Sequence, residues 1–406
     1  MSGTADPRVH SPPQPQEDGP TRANANTSHS MSGYFDYNAT HPTRPEVVEA
    51  VSAAMTADVG NPSSMHAAGR RARLLLDDAR AQVAALVGAQ PRAVVFTSGA
   101  TEANNLALHG FAVRHPDGAI VTTEIDHVSI LAPAASLRTD GYRVEVLPVD
   151  RDGTPDYARI RTLTETCTCL VATSWANGES GHVCDVSRLT ASVADRSLLH
   201  LDAAQASGRI PVHVGGGVHM LSLSAHKFGG PRGVGALVLG CEATEIAPLL
   251  RGGPQEGGLR PGTENLAGIT GLGAASSCAV REMQVELVRL STLREHLWTR
   301  LEREVAGILR ISPTDGLPNT LTVALSAIGG DVLTAALDLR GFAVSTGAAC
   351  AAGAPEPSHV IRGLGIAEGY RRGVVRMSMG RRTSPDDVER LADAFADIVR
   401  HARKAA

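Results

Sequence analysis

The chain of 406 residues is 43% hydrophobic and carries a formal net charge of −4, which is enough material for two domains with separate cores. No apolar run reaches the roughly 18 residues that indicate a membrane span, and the basic residues are too dispersed for a nucleic-acid-binding face. We therefore expect a cytoplasmic protein that binds neither membranes nor nucleic acids directly.

The N-terminal region, residues 1–32, is polar and rich in Pro and Ser, and it lacks the apolar core of a signal peptide. This composition predicts a disordered extension. Behind it we expect three parts: a segment over 33–48 that packs with the C-terminal domain, a large domain over 49–264 and a small domain over 265–406.

Strand-like and helix-like patterns alternate through the large domain. Helices are predicted at 64–88 and 101–115. Strands are predicted at 93–98, 119–124, 143–149, 169–174, 198–203, 220–225 and 235–240. This alternation is typical of an α/β domain with a mostly parallel seven-stranded sheet between helices. Ligands bind at the carboxyl ends of the strands in such sheets.

The pattern changes at about residue 265. A long amphipathic helix is predicted over 278–309, and the apolar segments NTLTVAL, FAVST and VVRMSMG follow it, with helices between and after them. Ser384 and Pro385 suit the N-cap and the first position of the last helix. These elements predict a smaller α+β domain at the C-terminus.

The six cysteines are too sparse for a disulfide framework in a chain of this length. Cys167 and Cys169 form a C-x-C pair, a pattern that sometimes binds metal. Their segment, CTCLVATS, has the composition of a buried strand, and no second Cys/His pair stands at a ligand spacing. We therefore expect buried thiols and no metal site.

Lys227 is one of only two lysines among 38 basic residues, and the other, Lys404, lies in the C-terminal tail. An arginine stays protonated, whereas a lysine can lose its proton and become a nucleophilic amine, as a Schiff base with a carbonyl cofactor requires. Lys227 follows a predicted strand and precedes FGGPRGVG, whose glycines permit close backbone approach to a ligand. The pattern is neither a Rossmann fingerprint nor a P-loop.

The cofactor pyridoxal 5′-phosphate (PLP) matches the residues around this lysine. Its phosphate needs a helix N-terminus with free N–H groups. FTSGATEANN supplies such a terminus, with Thr101 as a hydroxyl donor, and Ser224 and His226 stand close to Lys227 in sequence. The sequence therefore offers phosphate-binding groups in FTSGATEANN and in the segment around Lys227.

The PLP ring needs three further partners. An anion beside the pyridine nitrogen keeps the ring protonated as an electron sink, and Asp202 stands at the end of a predicted strand. Gln205 can donate to the phenolic oxygen, and His127 can stack on the ring face. Singly, Asp202 could be a helix cap and His127 a core imidazole, but together, at successive strand ends, these residues indicate a PLP site.

From Tyr34 to about Arg400 the chain resembles the NifS-type cysteine desulfurases, which belong to the class V aminotransferase family and share the fold type I architecture of PLP enzymes. The stretches that carry the resemblance are YFDYNATHP, GNPSSMHAAGRRAR, VVFTSGATEANNLAL, LDAAQASG, SAHKFGGPRGVGAL, RPGTEN and AVSTGAACAAGAPEPSHVIRGLG. The resemblance implies a homodimer in which Lys227 carries PLP. It implies further cofactor-binding residues, which are Ala100, Thr101, His127, Asp202, Gln205, Ser224, His226 and, from the second subunit, Thr263.

Cys350 lies in STGAACAAGAPEPS, a run of small residues with two prolines that predicts a mobile loop. An accidental thiol in such a loop would be open to oxidation, which favours a working cysteine, and by resemblance it is the catalytic nucleophile. The resemblance also assigns Arg376 and Asn177 to substrate binding. An arginine suits this role because its planar fork binds a carboxylate through two hydrogen bonds.

The implied reaction removes sulfur from L-cysteine. Lys227 takes the Cα proton, His127 shuttles a proton, and Cys350 receives the sulfur as a persulfide while L-alanine is released. A sulfur-acceptor protein, unidentified from sequence, would then use the sulfur for iron–sulfur cluster assembly, tRNA or another thiolation. Two alternatives stay open: another class V PLP enzyme, such as a selenocysteine lyase or an aminotransferase, and a sulfur-relay subunit without turnover.

The sequence departs from the family pattern at Gly178, where the family has an asparagine near the PLP oxygen and the substrate. A net hydrogen bond from such an amide is worth about 1 kcal/mol. We therefore expect Gly178→Asn to raise kcat/KM for cysteine roughly five-fold if the backbone tolerates it. A large loss of activity would instead mean that the glycine makes room for another group.

Overall fold

The computed structural model describes residues 32–240, 246–346 and 357–405. In this part of the chain no helix is both long enough and apolar enough to cross a bilayer.

The large sheet contains seven strands in the described ranges. They are β1 (Val94–Thr97), β2 (Ala119–Thr123), β3 (Arg143–Leu147), β4 (Cys169–Ser174), β5 (Leu198–Asp202), β6 (Met220–Ser224) and β7 (Gly235–Leu239). Their spatial order is β1-β7-β6-β5-β4-β2-β3. Strands β2 to β6 pair in parallel, and β7 runs antiparallel to both of its neighbours. The predicted α/β fold with a mostly parallel seven-stranded sheet is confirmed.

Helices cover both faces of this sheet because its strands are apolar on both sides. The helices up to β5 are α1 (Pro45–Thr56), α2 (Ala67–Leu86), α3 (Ala100–Arg114), α4 (Val128–Thr139), α5 (Tyr157–Thr166) and α6 (Val186–Thr190). Successive side chains of β1 show the alternation of a strand. Val94 and Phe96 belong to the core that includes α2, whereas Val95 belongs to the core that includes α3 and α4.

Helix α7 (Leu266–Glu304) begins at Leu266, not at the predicted position 278. The Asn265 side chain caps it by accepting a hydrogen bond from the Gly268 N–H. The prediction was wrong because the first turns are rich in glycine, which resembles a loop in sequence. A Cβ atom on Gly271 would lie 2.6 Å from a methyl group of Val51, and one on Gly273 would lie 2.8 Å from the backbone of α2. The glycines therefore let α7 pack tightly against α1 and α2.

The second sheet is antiparallel and has the order β10-β9-β8. Its strands are β8 (Leu309–Arg310), β9 (Thr320–Ala324) and β10 (Val374–Ser378). The helices of this region are α8 (Gly330–Asp338), α9 (His359–Gly363), α10 (Glu368–Arg371) and α11 (Pro385–Ala405). The predicted start of the last helix is confirmed, since the Ser384 hydroxyl accepts from the Asp387 N–H at 3.1 Å.

The N-terminal segment joins this second sheet through single bridges. Tyr34 pairs with Ala343, Asp36 pairs with Ser378, and Ser345 pairs with Arg376. The FAVST segment therefore contributes bridges instead of a regular strand. These contacts bring the segment that begins at Ser32 to the carboxyl edge of the large sheet, where it meets Lys227.

Candidate active site

Lys227 ends a short 3₁₀ turn that directly follows β6. Its Nζ atom donates to the carbonyl oxygen of Asn38 at 2.7 Å and to that of Ala39 at 3.1 Å. The side chain is half-buried. The amine therefore lies at the carboxyl edge of the sheet, against the N-terminal segment.

Asp202 is the last residue of β5 and is buried. One carboxylate oxygen accepts from the Ala204 N–H at 2.9 Å, and the other accepts from Asn104 Nδ2 at 2.8 Å. Each carboxylate oxygen can accept more than one hydrogen bond. A buried carboxylate held in this way can serve as the partner of a protonated ring nitrogen.

Gln205 is held by two groups that sequence reasoning did not identify. Its Nε2 donates to the Asn38 carbonyl at 3.1 Å, and its Oε1 accepts from Arg209 Nη1 at 2.9 Å. Arg209 also donates to the backbone carbonyls of Tyr37, at 3.2 Å, and Lys227, at 3.1 Å. Burial lowers the pKa of Arg209 to about 10, so the guanidinium stays charged at neutral pH. Arg209 thus ties the amide to the backbone of the lysine.

His127 is the N-cap of α4, shortly after β2, and its side chain is exposed. Its Nδ1 lies 2.7 Å from the Ser129 hydroxyl and accepts from the Ser129 N–H at 3.2 Å. The preceding residue, Asp126, is buried, and its two carboxylate oxygens accept hydrogen bonds from the ends of β2 and β4. Among the described residues, the imidazole is therefore held at Nδ1 and has no hydrogen-bond partner at Nε2.

The predicted phosphate-binding groups cluster at the start of α3. Gly99, with φ 155°, precedes Ala100, and no side chain caps the helix among the described residues. A Cβ atom on Gly99 would lie only 3.7 Å from the Ser224 hydroxyl. Thr101 is exposed. The open N–H groups of the first turn can bind an anion.

His226 lies in the short turn after β6, two residues beyond Ser224. Its Nδ1 is 3.1 Å from the Thr40 hydroxyl. Burial and, to a smaller extent, the charge of the neighbouring Lys227 together lower the pKa of His226 to about 4. At neutral pH the residue therefore offers a neutral imidazole, which acts through hydrogen bonds instead of charge.

Arg376 on β10 is almost fully buried, with its side chain 3% exposed. Its Nη2 pairs with Asp36 Oδ1 at 2.7 Å, and its Nη1 donates to the Gly178 carbonyl at 3.0 Å. The Nε donor has no hydrogen-bond partner among the described residues. A buried unpaired donor on a guanidinium is available to a carboxylate.

Asn177 and Gly178 form a turn between β4 and α6. The Asn177 amide is engaged at both ends, since Nδ2 donates to the Ile125 carbonyl at 2.9 Å and Oδ1 accepts from the Glu179 and Ser180 N–H groups. A Cβ atom on Gly178 would lie 2.6 Å from Gln205 Nε2 and 2.9 Å from its Cγ and Cδ.

This geometry argues against the expectation that Gly178→Asn improves activity. Gln205 occupies the space of any side chain at position 178, and Arg209 and the Asn38 carbonyl prevent it from moving freely. The glycine makes room for Gln205.

Cys350 and the rest of 347–356 lie outside the described residues, but both flanks are described. On one side, Ser345 and Arg376 exchange two backbone hydrogen bonds, of 3.1 and 2.7 Å. On the other, His359 Nε2 lies 2.9 Å from the carbonyl oxygen of Asp126, the neighbour of His127. The described residues on the two sides of 347–356 thus contact Arg376 and Asp126.

The remaining predicted residues take no part in the contacts described above. Thr263 has an exposed side chain in the segment before α7. The Cys167 and Cys169 sulfur atoms are 3.6 Å apart at the start of β4, the end of the strand opposite to the site. Burial raises the pKa of the Cys169 thiol to about 12, which keeps it protonated.

Asn38 is a functional residue that sequence reasoning missed. Its carbonyl accepts from Lys227 and Gln205, and its side chain donates to the Gly178 carbonyl at 3.0 Å and to Thr320 Oγ1 at 2.8 Å. The signal was present in YFDYNATHP, but only the tertiary contacts give the asparagine its role. It connects the lysine, the glutamine and the glycine turn.

Comparison with known proteins gives one consistent family. The aminotransferase class-V family matches residues 33–391. A cysteine desulfurase IscS of Dictyoglomus turgidum is 37% identical over 375 residues, which are 91% of this chain and 95% of that protein. The solved structure of a NifS-like protein matches with a TM-score of 0.85 and 33% identity, covering 91% of this chain and 100% of that one.

A further solved structure, of SspA in complex with cysteine, has a TM-score of 0.74 and 29% identity and covers 86% of this chain and 98% of that one. The class V family is known to use PLP. These similarities extend over both sheets and over the motifs that surround Lys227. The chain belongs to the class V aminotransferase family and, within it, to the cysteine desulfurases.

Proposed function

We propose that this desulfurase holds PLP on Lys227 and passes the sulfur of L-cysteine to Cys350. The anchoring of the two flanks of the Cys350 segment carries the proposal. One flank is bonded to the backbone of Arg376 and the other contacts Asp126, next to His127. We therefore expect the Cys350 thiol to meet a substrate that is bound at Arg376.

The donor set fits PLP. Asp202 would hold the ring nitrogen, the second amide hydrogen of Gln205 would bind the phenolic oxygen, and the exposed ring of His127 would stack on the cofactor. The groups proposed for the phosphate are the N-terminus of α3 with Ala100, the hydroxyls of Thr101 and Ser224, the neutral imidazole of His226 and, from a second subunit of a homodimer, Thr263. When bound, PLP supplies a protonated ring that accepts the electrons released at Cα of the substrate.

Lys227 has the role that only a lysine can fill. Its amine must be deprotonated to bind the cofactor covalently and to take the Cα proton, and a guanidinium is not deprotonated at usable pH. The carbonyls of Asn38 and Ala39 orient the Nζ atom. Arg209 fixes the lysine backbone from the other side.

The substrate carboxylate would bind to Arg376, whose Nε donor faces no described partner. Asp36 and the Gly178 carbonyl hold the other end of the guanidinium, so its plane is set before the substrate arrives. Asn177 would contribute by holding the turn in front of Gly178.

The sulfur transfer balances without an external oxidant. The thiolate of Cys350 forms a bond to the substrate sulfur as the Cβ–S bond breaks, and the carbon fragment is protonated to L-alanine. One cysteine and one thiol thus give one alanine and one persulfide. By analogy with SspA, which has been solved with cysteine, we propose L-cysteine as the substrate. The persulfide would pass to an acceptor protein for iron–sulfur cluster assembly, tRNA or another thiolation.

We also propose the division of the chain at position 264. The segment over 33–48 would pack with the C-terminal domain, which is supported by the bridges from Tyr34 and Asp36.

The test is an L-cysteine pulse with an assay of alanine, followed by mapping of the extra sulfur on peptides. Cys350→Ala is expected to keep PLP absorbance but to yield almost no alanine or persulfide. Cys184→Ala is the matched control, because burial raises the pKa of that thiol to about 12 and leaves it unreactive. Normal alanine release by Cys350→Ala would contradict the proposal and favour a selenocysteine lyase or another class V enzyme. A protein without PLP absorbance would favour a relay subunit.

A further inference from the structure

Asn104 on α3 is fully buried and connects the two groups proposed to flank the cofactor ring. Its Nδ2 lies 2.8 Å from Asp202 Oδ2 and 2.8 Å from the Ser129 hydroxyl. Its Oδ1 lies 2.6 Å from the Ser222 hydroxyl and 2.8 Å from His200 Nε2. The amide thus has two donors on one side and two acceptor sites on the other, and all four are used.

The direction of this amide follows from the Asp202 carboxylate, which only accepts hydrogen bonds when ionised. A flipped Asn104 would set its oxygen 2.8 Å from a carboxylate oxygen, which is repulsive. The contact with His200 is consistent with this orientation of the Asn104 amide. Burial lowers the pKa of His200 to about 4, so this residue is neutral and can donate from Nε2 to Asn104 Oδ1.

The orientation of the Asn104 amide determines how the Ser129 hydroxyl is oriented towards His127. This hydroxyl accepts from Asn104, so its single hydrogen is left for His127 Nδ1, 2.7 Å away. The Ser129 backbone N–H also points at this nitrogen, at 3.2 Å. A backbone N–H can only donate, so this longer contact also favours a lone pair on Nδ1, in addition to the shorter one from the hydroxyl.

We infer that Asn104 and Ser129 are positioning residues that place the proton of the neutral His127 imidazole on Nε2. Two donors converge on Nδ1, and a neutral imidazole carries one proton. The carboxylate proposed for the ring nitrogen thereby sets the tautomer of the histidine proposed to lie on the ring face. His127 then offers an N–H, not a lone pair, at its open edge. The catalytic use of that N–H rests on the proposed function, but the tautomer does not.

The test is solid-state NMR of the full chain labelled with ring-¹⁵N histidine, with and without PLP, since nitrogens with and without hydrogen resonate separately. His127→Gln identifies the signals of His127. We expect the wild type to show Nε2–H alone. Ser129→Ala should give a mixture of both tautomers, because one of the two donors is lost, and Ser129→Thr, which keeps a hydroxyl, should restore Nε2–H.

Ser276→Ala is the matched control, because it removes another buried hydroxyl, one that donates within α7. This variant should leave the His127 signals unchanged. In turnover, Ser129→Ala should lower kcat by about two- to ten-fold, with little change in KM. This is less than the roughly 10²- to 10⁴-fold contribution of an acid–base group, because the variant retains the His127 imidazole and changes only its tautomer.

Two outcomes would overturn the inference: a neutral His127 imidazole with its proton on Nδ1 in the wild type, or unchanged His127 signals in Ser129→Ala. Either could occur in an enzyme that still forms its persulfide on Cys350. Conversely, a wild type without a Cys350 persulfide would contradict the proposed function and leave the tautomer result standing.

Discussion

At the scale of single residues, the site contains backbone carbonyl groups that each accept hydrogen bonds from two side chains. The Asn38 carbonyl accepts from Lys227 and from Gln205, and the Gly178 carbonyl accepts from Arg376 and from the Asn38 side chain. Substitutions at these positions therefore act on more than one functional group.

Lys227→Arg keeps the positive charge and removes the nucleophilic amine. We expect it to lose covalently bound PLP and turnover, because a guanidinium cannot supply an unprotonated nitrogen. Borohydride treatment followed by peptide mapping measures the covalent cofactor. Wild-type levels of the reduced adduct in Lys227→Arg would refute the role proposed for this lysine.

Gly178→Ala adds only a Cβ atom, which would lie 2.6 Å from Gln205 Nε2. Gln205 must shift and loses its hydrogen bonds to Arg209 and the Asn38 carbonyl. We expect kcat/KM for cysteine to fall about ten-fold, since one or two hydrogen bonds of about 1 kcal/mol are lost at the site. Gly369→Ala, at an open position where the backbone has no positive φ, is the control for a general effect of glycine loss, and equal kinetics in the two variants would contradict the prediction.

At the scale of elements, two carboxylates hold the turn between β1 and α3, where the phosphate would bind. Glu102 accepts from the Ser98 N–H at 2.7 Å and from Arg260 at 3.0 Å. Glu256 accepts from the Phe96 N–H at 2.8 Å and forms two hydrogen bonds to Arg80. The α3 start is thus tied to the segment over 255–260.

Glu256→Ala is expected to lower the free energy of unfolding by about 3 kcal/mol, because it leaves Arg80 largely buried without its partner. The matched control is Asp77→Ala, which breaks an exposed pair with Arg73 and should cost less than about 0.5 kcal/mol. Urea denaturation of both variants measures the difference. Equal losses would show that the buried pair does not stabilise this turn.

At the scale of the whole molecule, several histidines that are wholly or partly buried are neutral in the folded protein at neutral pH. Burial lowers the pKa of His41 to about 3 and those of His200 and His226 to about 4, from an ordinary value of 6.5. The unfolded chain therefore binds more protons than the folded protein between about pH 6.5 and pH 4. Stability must fall as the pH is lowered through this window, and it is fully present above it.

His200 is completely buried and should contribute up to about 3 kcal/mol to this loss. His200→Gln retains a donor for Asn104 but cannot be protonated in this range. We expect its free energy of unfolding, measured in urea from pH 7.5 to pH 4.5, to depend less steeply on pH than that of the wild type. Identical slopes would mean that His200 does not remain neutral in the folded protein.

The features that the sequence alone determined are local ones. The seven strands, the cap at Ser384 and the spacing of Asp202, Gln205 and Lys227 follow from hydrophobic periodicity, capping chemistry and short motifs. Each of these patterns involves residues that are close together in the sequence, so it can be recognised without knowledge of the fold. The resemblance to cysteine desulfurases depends on the same short stretches.

Tertiary structure decided what depends on residues distant in the chain. The Asn38 carbonyl and Lys227 are 189 positions apart, and the collision between Gly178 and Gln205 and the direction of the Asn104 amide also join separate elements. The start of α7 depends on glycines that pack against α1 and α2. Close packing and shared hydrogen bonds between distant segments leave no periodic pattern in sequence, so only the folded chain shows them.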